Sequence, residues 1–340
     1  MKNNLVTILL IISSVPLFCK AKTIDTVTSV PTDTGYTKTG SVERLSPEID
    51  DIIAPGELPE ILAGGFDWTE GPLWLPELNI LIFSDIPKNI VYQWSEKTGI
   101  SVYLKPSGYT GTSPRGGESG SNGLLVDLNN RLVLCQHGDR RIARMDASLE
   151  KPEPKFITLA DRYNGKRLNS PNDAVYSING DLYFTDPAYG LEEGYYGPGR
   201  ELDFTGVFRL STDGSLSLLT DKMNAPNGIG ISPDGKKLYV ANSGDGEDSY
   251  WMVFDLKSDG TIDEGRIFYK AGKGHPDGLK VRKDGIIFAT GAGGVWIFTP
   301  EGKHLGTVLT GQTTSNCALG NEGKYLYITA DDYLMRIRLK

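Results

Sequence analysis

From about residue 58 onward the chain breaks into short runs rich in apolar, β-branched and aromatic residues, punctuated by turns carrying Gly, Asn or Asp, which is the pattern of short strands. The runs come in sets, and the first run of each set opens on a Glu, Asn or Asp. These heads are Glu70 in WTEGPLW, Asn122 in GSNGLLV, Asn172 in SPNDAVY, Asn227 in PNGIGI, Asp277 in HPDGLKV and Asn316 in SNCALG. Successive heads lie 52, 50, 55, 50 and 39 residues apart, a repeat length that fits one small sheet per blade of a β-propeller. After each head a turn is predicted at Asn79, Asn130, Gly180, Gly235, Gly285 or Gly323, where Gly or Asn takes positive φ at low cost. Second strands follow as ILIFSD, RLVLCQH, DLYFTD, KLYVANS, IIFATG and YLYITAD, and third strands as VYQW, IARMD, GVFRLS, WMVFDL, GVWIFT and LMRIRLK. Only 24 residues follow Asn316, too few for four strands, and PEILAGGF ahead of the first set can supply the missing one. The predicted fold is therefore all-β, a six-bladed β-propeller closed by strands from both ends of the chain, which removes free sheet edges.

The N-terminal region breaks this pattern. Lys2 precedes LVTILLIISSVPLF, an apolar run of 14 residues, and Cys19-Lys20-Ala21 places small residues at −3 and −1 of a cleavage site. Residues 1–21 read as a signal peptide, since a membrane span needs about 20 apolar residues. Export to the periplasm or the medium follows, and Cys19 offers the alternative of a lipid anchor, which bulky Phe18 before it disfavours. Residues 22–56, rich in Thr, Ser and Pro, read as a flexible leader, and residues 57–340 as the propeller. With 41 Gly and 19 Pro in 340 residues, the composition suits short strands joined by turns. The net charge of −8, without a basic stripe, argues against nucleic acid. Cys135 and Cys317 fall in different blades and read as two buried thiols, although export would permit a disulfide.

One head per blade builds a ring of oxygen-bearing side chains around the channel. A lone Asn or Asp before Gly often serves only its own turn, but here the turns come later in each repeat and six heads fall in register. Counting along the returning strands puts Asp85, His137, Asp186, Asn242 and Asp331 level with the ring, and they are expected to line the same mouth. Glu70 and Asp277 with the amide oxygens of Asn172 and Asn227 form an all-oxygen donor set, which selects a hard divalent cation, Ca²⁺ before others. Zinc fits poorly, because the three His (137, 275 and 304) share no ligand spacing. His137 and His275 flank the expected mouth and are candidates for substrate contact or proton transfer, or for a purely structural role.

WTEGPLW, NSPNDAVYSINGDLYFTDPAYGL, PNGIGISPDGKKLYVANS and PDGLKVRKDG together resemble the gluconolactonase and senescence-marker-protein (regucalcin) family of six-bladed propellers over roughly residues 58–340. The resemblance implies a divalent metal on Glu70, Asn172, Asn227 and Asp277, with Asp277 also catalytic. RGGESGSNG and LVLCQHGDRRIAR resemble the bacterial gluconolactonase branch, which implies substrate-side roles for Asn122 and His137 and none as ligand for Asn316. The expected function is hydrolysis of a sugar lactone, with the metal polarising the carbonyl and Asp277 as base or nucleophile. An aryl-esterase or phosphotriesterase on the same site is the alternative enzyme. A non-enzymatic calcium-stabilised binding propeller is the alternative without chemistry, though it has no need of converging carboxylates.

Overall fold

The computed structural model describes residues 28–29, 31–32 and 35–340; the expected signal peptide lies outside them. Six antiparallel sheets form the six blades, and their innermost strands run Thr69–Leu75, Ser121–Val126, Ala174–Tyr176, Pro226–Ile231, Leu279–Val281 and Thr314–Gly320. Each blade then meanders outward, as in Thr69–Leu75, Ile80–Asp85, Ile90–Ser95 and Gly99–Leu104 of the first. All six predicted turn residues carry positive φ, from 53° at Asn79 to 91° at Gly285. Among the described residues no helix is long and apolar enough to cross a membrane.

The ring closes as the short last repeat requires. Glu60–Gly64, within PEILAGGF, pairs antiparallel with the C-terminal strand Tyr333–Arg338 and completes the sixth blade from the other end of the chain. The described part of the expected leader departs from the prediction. Gly35–Lys38 adds to the edge of Glu60–Gly64, Ser41–Arg44 pairs with the outer strand of blade five, and the 3-10 turn Pro47–Asp51 follows. Ile49, Ile52 and Ile53 there are buried against Phe288, Val308 and Ile337, so apolar burial offsets the ordering entropy that the Thr- and Pro-rich composition suggested would win.

Apolar side chains from facing blades interdigitate into six clusters, among them Trp74 stacked on Tyr327 at 5.4 Å across the closure. Cys135 and Cys317 sit in separate clusters as free, buried thiols. Polar groups fix the blades near the axis. Ser84 donates to the carbonyl of Asn122 at 2.9 Å and Thr185 to that of Asn227 at 2.7 Å, so the second strands of blades one and three tie down the next blade's head residue. Close approach does the rest: a Cβ on Gly71 would strike the Asn122 carbonyl, and one on Gly228 the Asp277 carbonyl.

Candidate active site at the channel mouth

Each head residue stands where regular pairing fails. Ladder register shifts between Glu70 and Leu73, between Ser121 and Leu124 and between Pro226 and Ile229, while Asn172 and Asp277 precede their strands by two residues. Bulges turn side chains out of the sheet, and these five point into one cavity of about 330 Å³ at the channel mouth. It is lined by Glu70, Asn122, Asn172, Asn227 and Asp277, together with Glu118, Tyr189 and His275. The other end of the channel opens into an apolar space walled by Leu125, Val175, Ile231 and Val281, where Lys280 pairs with Asp173 at 3.4 Å. Without convergent carboxylates it has little to offer polar chemistry.

The electrostatics of the mouth are unusual. Burial holds the Glu70 carboxyl up at about 7, against the N–H of Gly71 at 2.6 Å and the Asn316 amide at 3.0 Å, which both stabilise its anion. Burial also raises Asp277 well above the carboxylate range, and the charges of Glu70, Glu118 and Asp173 push it further. Asp277 Oδ1 and Asn122 Oδ1 are buried without a hydrogen-bond partner. Buried, mutually repelling carboxylates with unsatisfied oxygens are what a divalent cation would satisfy. Among the described residues no three His, Cys, Asp or Glu side chains cluster as a metal centre, so a cation here needs the amide oxygens of Asn172 and Asn227 as well. The residues fit a hard cation.

Asn316 has a role of its own. Its Nδ2 donates to Glu70 while its Oδ1 accepts the Cys317 N–H at 2.8 Å, so it orients a candidate ligand from the neighbouring blade. Asn316→Ala is expected to weaken cation affinity by about 10-fold, the lower range for removing a residue that orients a ligand. Titration calorimetry of the variant checks this, and an unchanged affinity would remove Asn316 from the site.

The residues predicted to line the mouth from the second strands mostly do not. Asp85 accepts the N–H groups of Asp67 and Trp68, Asp186 those of Asn169 and Ser170, and Asn242 that of Ala225. All three are fully buried and clamp the loop entering their own blade's head residue. Counting residues gave the level along the strand but not the direction of the side chain. Burial lifts Asp186 to about 7, with Arg140 and Arg200 opposing. Since its folded pKa lies above its unfolded value, Asp186 costs nothing at low pH, and stability is lost as pH rises from about 4 to about 7. In Asp186→Asn that ionisation is absent, so the stability gap between wild type and variant should narrow as pH rises through this window. Denaturant melts at pH 5 and 8 read the gap, and a constant gap would count against it.

His137 is also fully buried, not lining: its Nδ1 meets Glu118 Oε2 at 2.8 Å, and it is Glu118 that reaches the cavity. Sequence reading missed Glu118, which lies in a loop without periodicity, and its only signal was a carboxylate in the Gly-rich stretch ahead of Asn122. His275 does line the mouth, with Nδ1 at 3.1 Å from the Ser243 carbonyl. His304 lies far off, stacked on Trp296 at 4.6 Å.

Comparison with known proteins identifies the family and the fold. Residues 68–332 match the family described as the SMP-30/Gluconolactonase/LRE-like region. The chain is 38% identical over 313 residues to a gluconolactonase of Zymomonas mobilis, covering 88% of this chain and 86% of that one. A solved gluconolactonase from Xanthomonas campestris superposes with a TM-score of 0.77 at 30% identity, covering 95% of this chain and all of that one. A calcium-binding regucalcin from Agrobacterium tumefaciens shares the fold at a TM-score of 0.62 and 16% identity, covering 81% of this chain and 92% of that one.

Proposed function

Since the chain belongs to the SMP-30/gluconolactonase/LRE-like family, we propose that it hydrolyses a sugar lactone of the gluconolactone type to the aldonic acid at the channel mouth. The observation that carries this reading is the convergence of Glu70, Asn122, Asn172, Asn227 and Asp277 on one polar cavity, with oxygens of Asn122 and Asp277 buried and unsatisfied. Ester hydrolysis needs a polarised carbonyl, a base and donors or acceptors that hold the ring, and the cavity offers a group for each.

Glu70, Asn172, Asn227 and Asp277 would hold a divalent cation, Ca²⁺ by the all-oxygen donor set, and when bound it would supply Lewis-acid polarisation of the carbonyl. Asp277 faces the cavity with Oδ1 free, placed to take a proton from attacking water or to add to the carbonyl itself. Asn122 presents an unsatisfied amide oxygen to a ring hydroxyl, and Asn316 keeps Glu70 in position from outside the cavity. Assaying purified protein on a panel of aldonolactones, with aryl esters and phosphotriesters as controls and with and without chelator, tests the reading. Turnover of the controls alone would overturn it, and lactone turnover indifferent to chelator would remove the cation.

The reading includes export. With residues 1–21 as a cleaved signal, N-terminal sequencing of the mature protein should begin at Lys22 and cell fractionation should find it outside the cytoplasm. An intact Met1 in the soluble cytoplasmic fraction would exclude this.

A further inference from the structure

Glu118 is a third carboxylate at the mouth, beside Glu70 and Asp277, and it is neither one of the proposed cation ligands nor the group placed to attack the carbonyl. It rides on the loop that carries residues 105–120 into blade two, and this loop is tied down along its length. Tyr109 N–H donates to the Ser119 carbonyl at 2.7 Å, Gly120 N–H to Ile86 at 2.8 Å, and the Arg115 guanidinium to the carbonyls of Glu118, at 3.1 Å, and Gly190. The carboxylate itself is held by one oxygen. Because an ionised Glu only accepts, His137 Nδ1 carries the hydrogen of the 2.8 Å contact to Oε2, which leaves Oε1 available. The imidazole that does this has no exposure at all. Its backbone N–H is bonded to Gly120 at 3.1 Å, and Gly190 packs so closely on the ring that a Cβ there would collide with it. Glu118, by contrast, stays about one-third open, 34% by side chain, on the cavity side. A pair serving only to pin the loop would not need its carboxylate at the cavity wall.

Resting on the lactonase reading above, we propose that Glu118 is a specificity-determining residue: a carboxylate immobilised by buried His137 so that it accepts hydrogen bonds from the hydroxyls of a polyhydroxylated lactone. His137 is then a positioning residue that never touches substrate. A site built to accept a hydrogen bond from a substrate hydroxyl discriminates strongly against the analogue that lacks it, because the acceptor is left unpaired. The ligand class is therefore a neutral polyol ring. Alkyl lactones offer no donor, and anionic ligands meet an added negative charge.

The test compares mature wild type, E118Q, E118A, H137F and H137N on δ-gluconolactone and δ-valerolactone, the second sharing the ester ring without hydroxyls. The ratio of kcat/KM for the first over the second is expected to fall by about 20-fold or more in E118A, chiefly through KM, within the range a lost substrate hydrogen bond spans. H137F should reproduce the fall, and H137N, whose amide can donate from near the Nδ1 position, should recover much of it. Calcium titration runs alongside. An unchanged ratio in E118A overturns the proposal, and so does a loss of cation affinity, which would make Glu118 a ligand. H137F behaving as wild type would overturn the positioning role, and should H137F not fold, H137N and the E118 variants still decide. Binding of 1,5-anhydroglucitol, which has ring hydroxyls and no ester, reads Glu118 without turnover. If wild type hydrolyses neither lactone the proposed activity fails, whereas weaker polyol binding by E118A than by wild type still supports Glu118 and equal binding overturns it.

Discussion

Asp277→Asn is expected to lower hydrolysis of a gluconolactone-type substrate by at least about 10², the lower end for loss of a general base. The substitution keeps the shape and one oxygen toward the cavity, so some cation binding should survive while the negative charge is lost. Two opposing influences set the basicity of this carboxylate. Burial and the neighbouring charges of Glu70 and Glu118 raise it, and a bound cation lowers it. Without the first a ligated Asp would be a feeble base at neutral pH, so in the proposed mechanism burial and acidic neighbours keep Asp277 basic enough to act. Rates must be corrected for spontaneous lactone opening, and metal content measured on the same sample. If the variant keeps more than half of wild-type turnover after correction, Asp277 leaves the mechanism. Glu118 would be tested next rather than His137, which reaches the cavity only through it.

Millimolar Ca²⁺ should stabilise the fold by about 3–4 kcal/mol over chelated protein, the mass-action gain at roughly 100 to 1,000 times the dissociation constant. For a domain somewhat larger than 250 residues this corresponds to a rise in Tm of roughly 6–16 °C at 2–4 °C per kcal/mol. The effect is expected to stem from Glu70 and Asp277, which are both buried, the charge of Glu70 adding to the burial that raises the proton affinity of Asp277. A cation held by both would turn that repulsion into two attractions. Glu70→Gln should respond in a characteristic way: the calcium-dependent rise should shrink to a small fraction, while the chelated variant should melt no lower than chelated wild type, since one of two repelling groups is gone. Differential scanning calorimetry at several calcium concentrations measures both. Equal midpoints for wild type with calcium and with chelator, joined to metal analysis finding no ion, would dispose of the site.

The ring residues were legible in the sequence because register carries them: six heads at blade spacing must meet at one level of a closed ring. Their direction was not legible, and for Asp85, Asp186 and Asn242 this mattered. Side chains alternate between the two faces of a strand, so residues level with the mouth can point into the loop above their own blade, where they cap free N–H groups. Glu118 was missed because nothing periodic marks a loop residue. The ordered part of the leader was misread because composition outweighed pattern; Ile49, Ile52 and Ile53 fall at i, i+3 and i+4, the spacing of one buried face. The short sixth repeat, by contrast, foretold the closure correctly by simple shortage of residues.

That closure bears on the order in which the molecule can form. Arg336 Nε donates to Glu60 Oε2 at 2.9 Å across 276 residues of chain, so the joint that completes the circle joins a strand made early to the last one made. Five blades can assemble from neighbours in sequence, but the sixth waits for the C-terminus, and until then Glu60–Gly64 and Thr314–Gly320 belong to an open ring with bare edges. Such distant pairing slows folding and lengthens the time an unfinished chain is exposed to aggregation. Were the chain exported before folding, as proposed, it would meet this delay with both strands of the joint already made. Moving the termini into the loop between blades two and three would turn the slowest contact into a local one, trading a late seam at the closure for one elsewhere on the wheel.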